Sequence, residues 1–463
     1  MTNLADINFE AILEDIKPTE TEKKRVMELS TELIKNLNET AASIGAEAEA
    51  VLVGSVAKST WLAGKADIDI FMEFSLETEE SYLKRCGLKL GHNCIKTMGG
   101  TAEERYASHP YVTGSIEGYE VDFVPCYYIE DASQLKSAVD RTILHTQYIK
   151  KHLKREQADE VLLLKRFMEC VGTYGSEFKV GGFSGYLCEL MVLEYGSFMG
   201  VLEAASTSWR YGQVIDLENY GTAELFKDPM VAVDPVDKNR NVAAALGLQK
   251  MSEFIVASTN FLENPSENYF YPKVMEFDSE SVKEEFRERG TKTFILTFHP
   301  PNIPADAVYP QIRKTEKSIV KVAENNDFKV AGSDSWTDED HQAMILVEFE
   351  TWKLPRMKKH MGPQIWFKEH QERFLEKYSG KAWVEGDRWV VEVPRTYESV
   401  EAFFQGVLLP GEINYLRFGK HIKAEILREH GVVDVKDFLE SQCDEDVLRF
   451  LNLYLNKNEL LCR

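Results

Sequence analysis

The sequence predicts a multidomain α/β and α+β protein: a mixed α/β segment first, a helical segment next, and an α+β remainder. Three observations lead there. The 463 residues suffice for about three domains of ordinary size. Two short stretches, residues 66–74 (ADIDIFMEF) and 119–125 (YEVDFVP), alternate acidic with apolar residues, which is the period of a half-buried strand. From His145 to about Leu262 the apolar residues instead recur at helical spacing, and after Asn264-Pro265 β-like runs return.

The elements follow in order. Val26, Leu29, Leu33 and Leu37 predict an amphipathic helix, residues 49–53 a strand, Gly54-Ser55 a turn and residues 56–62 a short helix. The helical segment is interrupted by a glycine-rich stretch at 175–185. Runs at 292–298, 343–350 and 383–393 read as strands around a helix at 313–325, and the acidic stretch 334–340 reads as a solvated loop. No internal repeat or low-complexity tract is present.

Composition excludes several classes. With 44% hydrophobic, 28% charged and 11% aromatic residues the chain has the make-up of a folded globular protein, not of collagen, a coiled coil or a disordered acidic tail. Lys and Arg total 54 against 76 Asp and Glu, a net charge of −22, which excludes coating nucleic acid by bulk charge while allowing a local basic groove. No apolar run approaches the ~20 residues of a membrane span, and acids occupy the N-terminal stretch where a secretory signal carries basic residues, so no membrane association and a cytoplasmic location are expected. The seven cysteines form no C-x-x-C pair and read as reduced thiols.

The chemistry lies in Gly54-Ser55, then Asp67-Ile68-Asp69, then Asp122. In a strand, Asp67 and Asp69 share one face while Ile68 and Ile70 pack behind. Like-charged carboxylates raise one another's pKa, and hard divalent cations relieve that repulsion; Asp122 on a second acidic strand supplies a third oxygen ligand. Two ions about 3.5–4 Å apart would activate an attacking hydroxyl and stabilise a leaving pyrophosphate. Gly54 lets backbone approach a phosphate, Ser55 adds a hydroxyl and Lys58 a charge. GSVAKST lacks the P-loop order, and GGFSGYL lacks the nucleophile-elbow order.

These residues are familiar. GSVAKSTWLAGKADIDIFMEF, from Gly54, resembles the signature of the DNA polymerase β nucleotidyltransferase superfamily, and more narrowly the archaeal, class I CCA-adding enzymes. The likeness runs on through RYASHPYVTG, YEVDFVPCY, DRTILH, YGSEFKVGGFSGYLCELMVLEYGSF, DPVDKNRNVAAAL and LPRMKKHMGPQIWF, and so covers most of the chain. It implies a polymerase β-like palm or head at 1–145, a helical central neck at 146–262, a body at 263–315 and 400–463, and a tRNA-binding tail at 316–399. The implied activity is template-independent addition of CCA to the 3′ end of tRNA from CTP and ATP with release of pyrophosphate. The other readings left open are a poly(A)- or poly(U)-type tailing relative and an inactive RNA-binding relative.

Carried over residue by residue, the resemblance makes Asp67, Asp69 and Asp122 catalytic ligands of two Mg²⁺ ions, with Gly54, Ser55 and Lys58 holding the triphosphate. His145, Lys165 and Tyr174 would contact the incoming nucleotide, and Arg240 would read the base edge with its fork of donors. Lys58 stands where relatives commonly carry arginine, and Asp67 where they often carry glutamate. Partners implied are the tRNA acceptor stem and TΨC arm, and a second copy in a homodimer. For RNA grip the candidates are Arg313 and Lys314, with Lys317 and Lys321 following at near-helical spacing, and Lys353, Arg356, Lys358 and Lys359, flanked by Trp352 and Trp366.

Overall fold

The structure, a computed structural model, describes residues 4–106, 110–273, 278–411, 413, 416–441 and 444–462. They gather into two compact units, Met1–Val274 with Asn458–Arg463, and Met275–Lys457.

The first unit begins with a five-stranded sheet: β1 (Ala48–Val53), β2 (Asp67–Phe74), β3 (Thr101–Tyr106), β4 (Pro110–Ile116) and β5 (Tyr119–Tyr127), in the order β1-β2-β5-β4-β3. Only β2 and β5 pair in parallel. Ile68, Ile70, Met72, Val121 and Phe123 point to one face and are buried with Val26, Leu29, Leu33 and Leu37 of the helix Glu20–Ser43 and Leu83, Leu90 and Cys94 of the helix Glu80–Thr97. That apolar layer consumes every second residue of β2. The alternate residues, Asp67 and Asp69, stand on the opposite face.

A helical layer follows, built on Arg141–His152, Arg155–Cys170, Gly185–Tyr195, Phe198–Thr207 and Leu248–Glu263. Its core is aromatic. Phe167 is fully buried with its ring 5.6 Å from those of Phe198 and Phe261 and stacked 5.3 Å from Tyr269. The sequence reading of 145–262 as helical holds for most of this stretch but misses three short strands, β6 (Gln213–Ile215), β7 (Met230–Asp234) and β8 (Asp237–Asn241), which form one sheet. β8 reads DKNRN, so no apolar alternation announces it; it is secured by its pairing with β7 and by Asn241, whose side chain takes backbone partners on Met230 and Ala232.

The second unit holds a four-stranded sheet, β10-β11-β9-β15, and a three-stranded one, β12-β14-β13. These strands are β9 (Lys292–Phe298), β10 (Val330–Thr337), β11 (Ala343–Phe349), β12 (Met357–Gln364), β13 (Trp383–Glu385), β14 (Arg388–Pro394) and β15 (His430–Asp434). Three expectations are corrected here. Residues 334–337 of the expected acidic loop belong to β10, where Ser333 and Ser335 donate to Glu316. The run 383–393 is a hairpin, broken at Gly386 with φ +60°. The helix expected at 313–325 spans Ala305–Asn325 with Pro310 inside it; burial of Val308, Tyr309 and Ile312 outweighs the missing proline N–H. The expected body–tail border after residue 315 therefore falls inside a helix.

Among the described residues no helix is long and apolar enough to cross a membrane. Six cysteines are free, five of them buried, and Cys443 lies outside the described residues, as do residues 107–109 of RYASHPYVTG. Phe167→Ala removes the hub of the aromatic core and is expected to lower unfolding stability by about 3–5 kcal/mol, measured by urea denaturation. A loss under about 1 kcal/mol would show that the ring is not the keystone of this layer.

Candidate active site

The parallel register of β2 and β5 sets Asp69 directly beside Asp122 and Asp67 beside Glu120. The short expected helix after the glycine turn spans Gly54–Lys58 rather than 56–62, because Ser59 turns left-handed at φ 58° and stops it. Gly54 itself has φ +72°, and a Cβ there would lie 1.9 Å from Asp69 Oδ2, so no side chain fits between the turn and the acid. Thr113, opposite Asp122 on β4, donates its hydroxyl to Asp122 Oδ1 at 2.7 Å.

No Lys, Arg or His of the described residues forms an ion pair with Asp67, Asp69 or Asp122. Burial, then the charges of Asp122 and Asp67, push the Asp69 carboxyl from 3.8 up to about 7 against the opposing field of Lys58. Burial also raises Asp67, helped by Glu120, and raises Asp122 against the Thr113 hydrogen bond. These are oxygen donors with unmatched negative charge, the chemistry that suits a hard divalent cation. They do not make a closed cage: among the described residues no three His, Cys, Asp or Glu side chains gather tightly enough to hold a metal by themselves. An open site of that kind fits a cation such as Mg²⁺, which takes one or two carboxylates and completes its shell with substrate phosphates and water.

Beside the acids, Lys58, expected at the triphosphate, and Lys165 and Tyr174, expected to contact the incoming nucleotide, gather in a buried cluster. Ser55 lies half-buried in the first turn of the short helix. Lys58 Nζ donates to Glu189 Oε2 at 2.6 Å, and Thr60 Oγ1 donates to Glu189 Oε1 at 2.6 Å. Lys165 donates to the Thr60 carbonyl at 2.7 Å; burial holds its ammonium below the ordinary value, with Glu189 opposing. Tyr174 joins them across Gly185, where a Cβ would meet Tyr174 Oη at 3.1 Å and Lys165 Nζ at 3.3 Å, and burial raises the phenol.

Arg240, expected at the base edge, and His145, expected to contact the incoming nucleotide, converge on a different buried acid. Asp234, fully buried at the end of β7, accepts from Arg240 at 2.8 Å and meets His145 Nε2 at 2.8 Å. Tyr186 stacks on His145 with ring centres 4.1 Å apart, and its hydroxyl lies 3.4 Å from Asp234. Burial pushes Asp234 up, but His145 and Arg240 outweigh it and hold the carboxyl below its ordinary value; burial holds His145 below its own. Sequence reasoning missed Glu189, Asp234, Tyr186, Thr60 and Thr113. A signal existed for the first: Glu189 is a lone charge inside the apolar run LCELMV, and a buried charge demands a partner.

In the second unit, Arg313, Lys314, Lys317 and Lys321 lie exposed on the helix Ala305–Asn325. Lys353 and Arg356 are exposed ahead of β12. Lys358 pairs with Asp327 and Lys359 with Glu385, each at 2.9 Å. Trp366 is exposed, whereas Trp352 packs half-buried against the core.

A mixed sheet that lines up Asp67, Asp69 and Asp122 behind a glycine turn defines a nucleotidyltransferase, and a family model of the nucleotidyltransferase domain matches residues 34–145. Models described as "tRNA nucleotidyltransferase, second domain" and "CCA-adding enzyme, C-terminal domain" match residues 159–271 and 289–434. A CCA-adding enzyme of Methanothermobacter thermautotrophicus is 53% identical over 97% of this chain and 98% of its own. That of Methanocaldococcus jannaschii is 38% identical over 90% and 96%. The chain belongs to the CCA-adding enzyme family. A solved cytoplasmic RNA terminal U-transferase aligns with a TM-score of 0.44 at 15% identity, over 58% of this chain and 98% of that one.

The raised Asp69 has a thermodynamic consequence. A carboxyl whose folded pKa lies above its unfolded value favours the fold when protonated, so stability falls as pH climbs from 3.8 through about 7. Without divalent cations the melting temperature should therefore fall over that window, and at pH 8 Mg²⁺ should restore several degrees. Asp69→Asn should flatten both responses in a thermal melt; an unchanged Mg²⁺ response would remove Asp69 from the cation site.

Proposed function

We propose that this enzyme adds C, C and A in turn to the 3′ end of tRNA, taking CTP and ATP and releasing pyrophosphate without a template. The supporting observation is the uncompensated row Asp67, Asp69 and Asp122 in a chain that shares more than half its residues, nearly end to end, with a CCA-adding enzyme. Asp67, Asp69 and Asp122 would hold the divalent cations, two Mg²⁺ ions in this reading. Cations held by these residues would supply neutralisation of the charge building on the phosphates and a lowered pKa for the primer's 3′-hydroxyl.

The chain's own residues do the rest by positioning. Gly54 and Ser55 admit the triphosphate beside Asp69, and Lys58, Lys165 and Tyr174 direct donors toward it. His145 and Arg240, both held by Asp234, face the base; a guanidinium carries only donors and so suits the acceptors on a base edge. Asp122, its other oxygen tied to Thr113, takes up the hydroxyl proton. Residues 1–145 act as head, 146–262 as neck, and 263–315 with 400–463 as body. The tail, expected at 316–399, begins after the helix ending at Asn325 rather than within it.

Arg313, Lys314, Lys353, Arg356, Lys358 and Lys359 contact the backbone of the acceptor stem and TΨC arm, reading A-form shape so that one enzyme serves every tRNA. The resemblance also implies a cytoplasmic homodimer.

The test is incorporation into tRNA ending before CCA, with CTP alone, ATP alone and both: additions should stop at two with CTP alone and at three with both. Unlimited tailing with one nucleotide would replace this reading by that of a homopolymer-adding relative. Asp122→Ala should abolish incorporation while tRNA affinity in a filter-binding assay stays unchanged, and retained incorporation would overturn the assignment of the acids. Arg240→Ala should change the ratio of CTP to ATP use about 10-fold or more with tRNA affinity intact. An unchanged ratio at normal rate would remove Arg240 from base reading.

A further inference from the structure

We propose that Glu189, from the helical layer, is the positioning residue of the triphosphate subsite: it holds Lys58 in place for the incoming nucleotide. This rests on the reading of Lys58 as a triphosphate ligand. Glu189 is fully buried on the helix Gly185–Tyr195, where its buried neighbours Leu187, Cys188, Leu190, Met191 and Val192 carry no charge. A carboxylate in such surroundings is tolerated only when each oxygen is paired. Here both are, and both donors come from one turn: Lys58 to Oε2 and Thr60 to Oε1. The Lys58 side chain is only 8% exposed, so the pair is not a screened surface contact.

Geometry and charge both point to a polyanion. Lys58 pairs directly with Glu189, and Lys165 reaches the same turn through the Thr60 carbonyl. The cluster keeps one positive charge in excess when both lysines are protonated. An ammonium has three donors; Glu189 takes one from Lys58, whose Nζ lies 5.6 Å from the centre of the Tyr186 ring, and among the described residues no further hydrogen bond engages that Nζ, which leaves donors for phosphate oxygens. Lysine is otherwise a flexible stem that loses rotamer freedom on binding, and fixing it beforehand lowers that cost. Glu189 acts through Lys58 and touches neither phosphate nor base.

The test is a double-mutant cycle of Glu189→Gln and Lys58→Met, read as kcat and KM for CTP and ATP on tRNA ending before CCA. Glu189→Gln should raise KM for both nucleotides about 10-fold or more, with kcat within about threefold and tRNA affinity unchanged. In the Lys58→Met background the same substitution should add nothing. An unchanged KM, or an effect just as large without Lys58, overturns the positioning role. If Lys58→Met alone leaves KM unchanged, the triphosphate reading of Lys58 fails instead. Should Glu189→Gln fold poorly, Thr60→Val tests the same hold without a charge change: KM should rise several-fold and Thr60→Ser should restore it, and a normal KM for Thr60→Val likewise overturns the proposal.

Discussion

The repulsion among three carboxylates is the constraint around which the first unit is organised. Parallel pairing of β2 and β5 places Asp69 beside Asp122, and no basic side chain of the described residues pairs with either. Such an arrangement works against folding, and it is tolerated because the other face of the same strands is anchored by Ile68, Ile70, Val121 and Phe123 in a continuous apolar core. Gly54 is the matching accommodation on the acidic face, where any side chain would strike Asp69. Among the described residues, Thr113 supplies the neutral side-chain donor to Asp122. A scaffold rigid enough to hold this charge apart from any protein cation leaves it available for an external one.

Two buried acids organise the remaining polar residues, and each gathers groups from distant parts of the chain. Glu189 draws together Lys58 and Thr60, and Asp234 draws together His145, Arg240 and Tyr186. Tyr186 belongs to both neighbourhoods: its ring stacks on His145 and lies near Lys58. The first cluster offers ammonium groups and the second a guanidinium and an imidazole. That polarity matches a nucleotide whose phosphates and base must be held at once, and the two clusters are joined through a ring rather than through a charge.

The net charge of −22 takes on a definite meaning against this background. Residues 1–150, 151–260 and 261–463 carry −10, −4 and −8, so positive charge is confined to short segments. Even these are restrained, since Lys358 and Lys359 spend part of their field on Asp327 and Glu385. A surface of this kind attracts polyanions weakly at long range and favours a partner whose shape brings phosphates to the few exposed cations.

Much of the site was readable in the chain because its signal is local. The period of two in DIDIF and EVDF is a property of neighbouring residues, so the strands, their shared acidic face and the need for a cation follow from sequence alone. Helix limits were less legible: the short helix after Gly54 and the one through Pro310 are set by a left-handed serine and by burial of Tyr309 and Ile312, which no propensity reports. Strand β8, polar throughout, was invisible because its pairing partner rather than its composition makes it a strand. Glu189 could be suspected as a buried charge, but neither it nor Asp234 could be matched to partners, since Lys58 lies 131 residues from the one and His145 89 from the other. Sequence by itself determined that Asp67, Asp69 and Asp122 lie on acidic strand faces behind a glycine turn; tertiary structure decided which acid restrains which cation, because ion pairing depends on distance in space and is blind to distance along the chain.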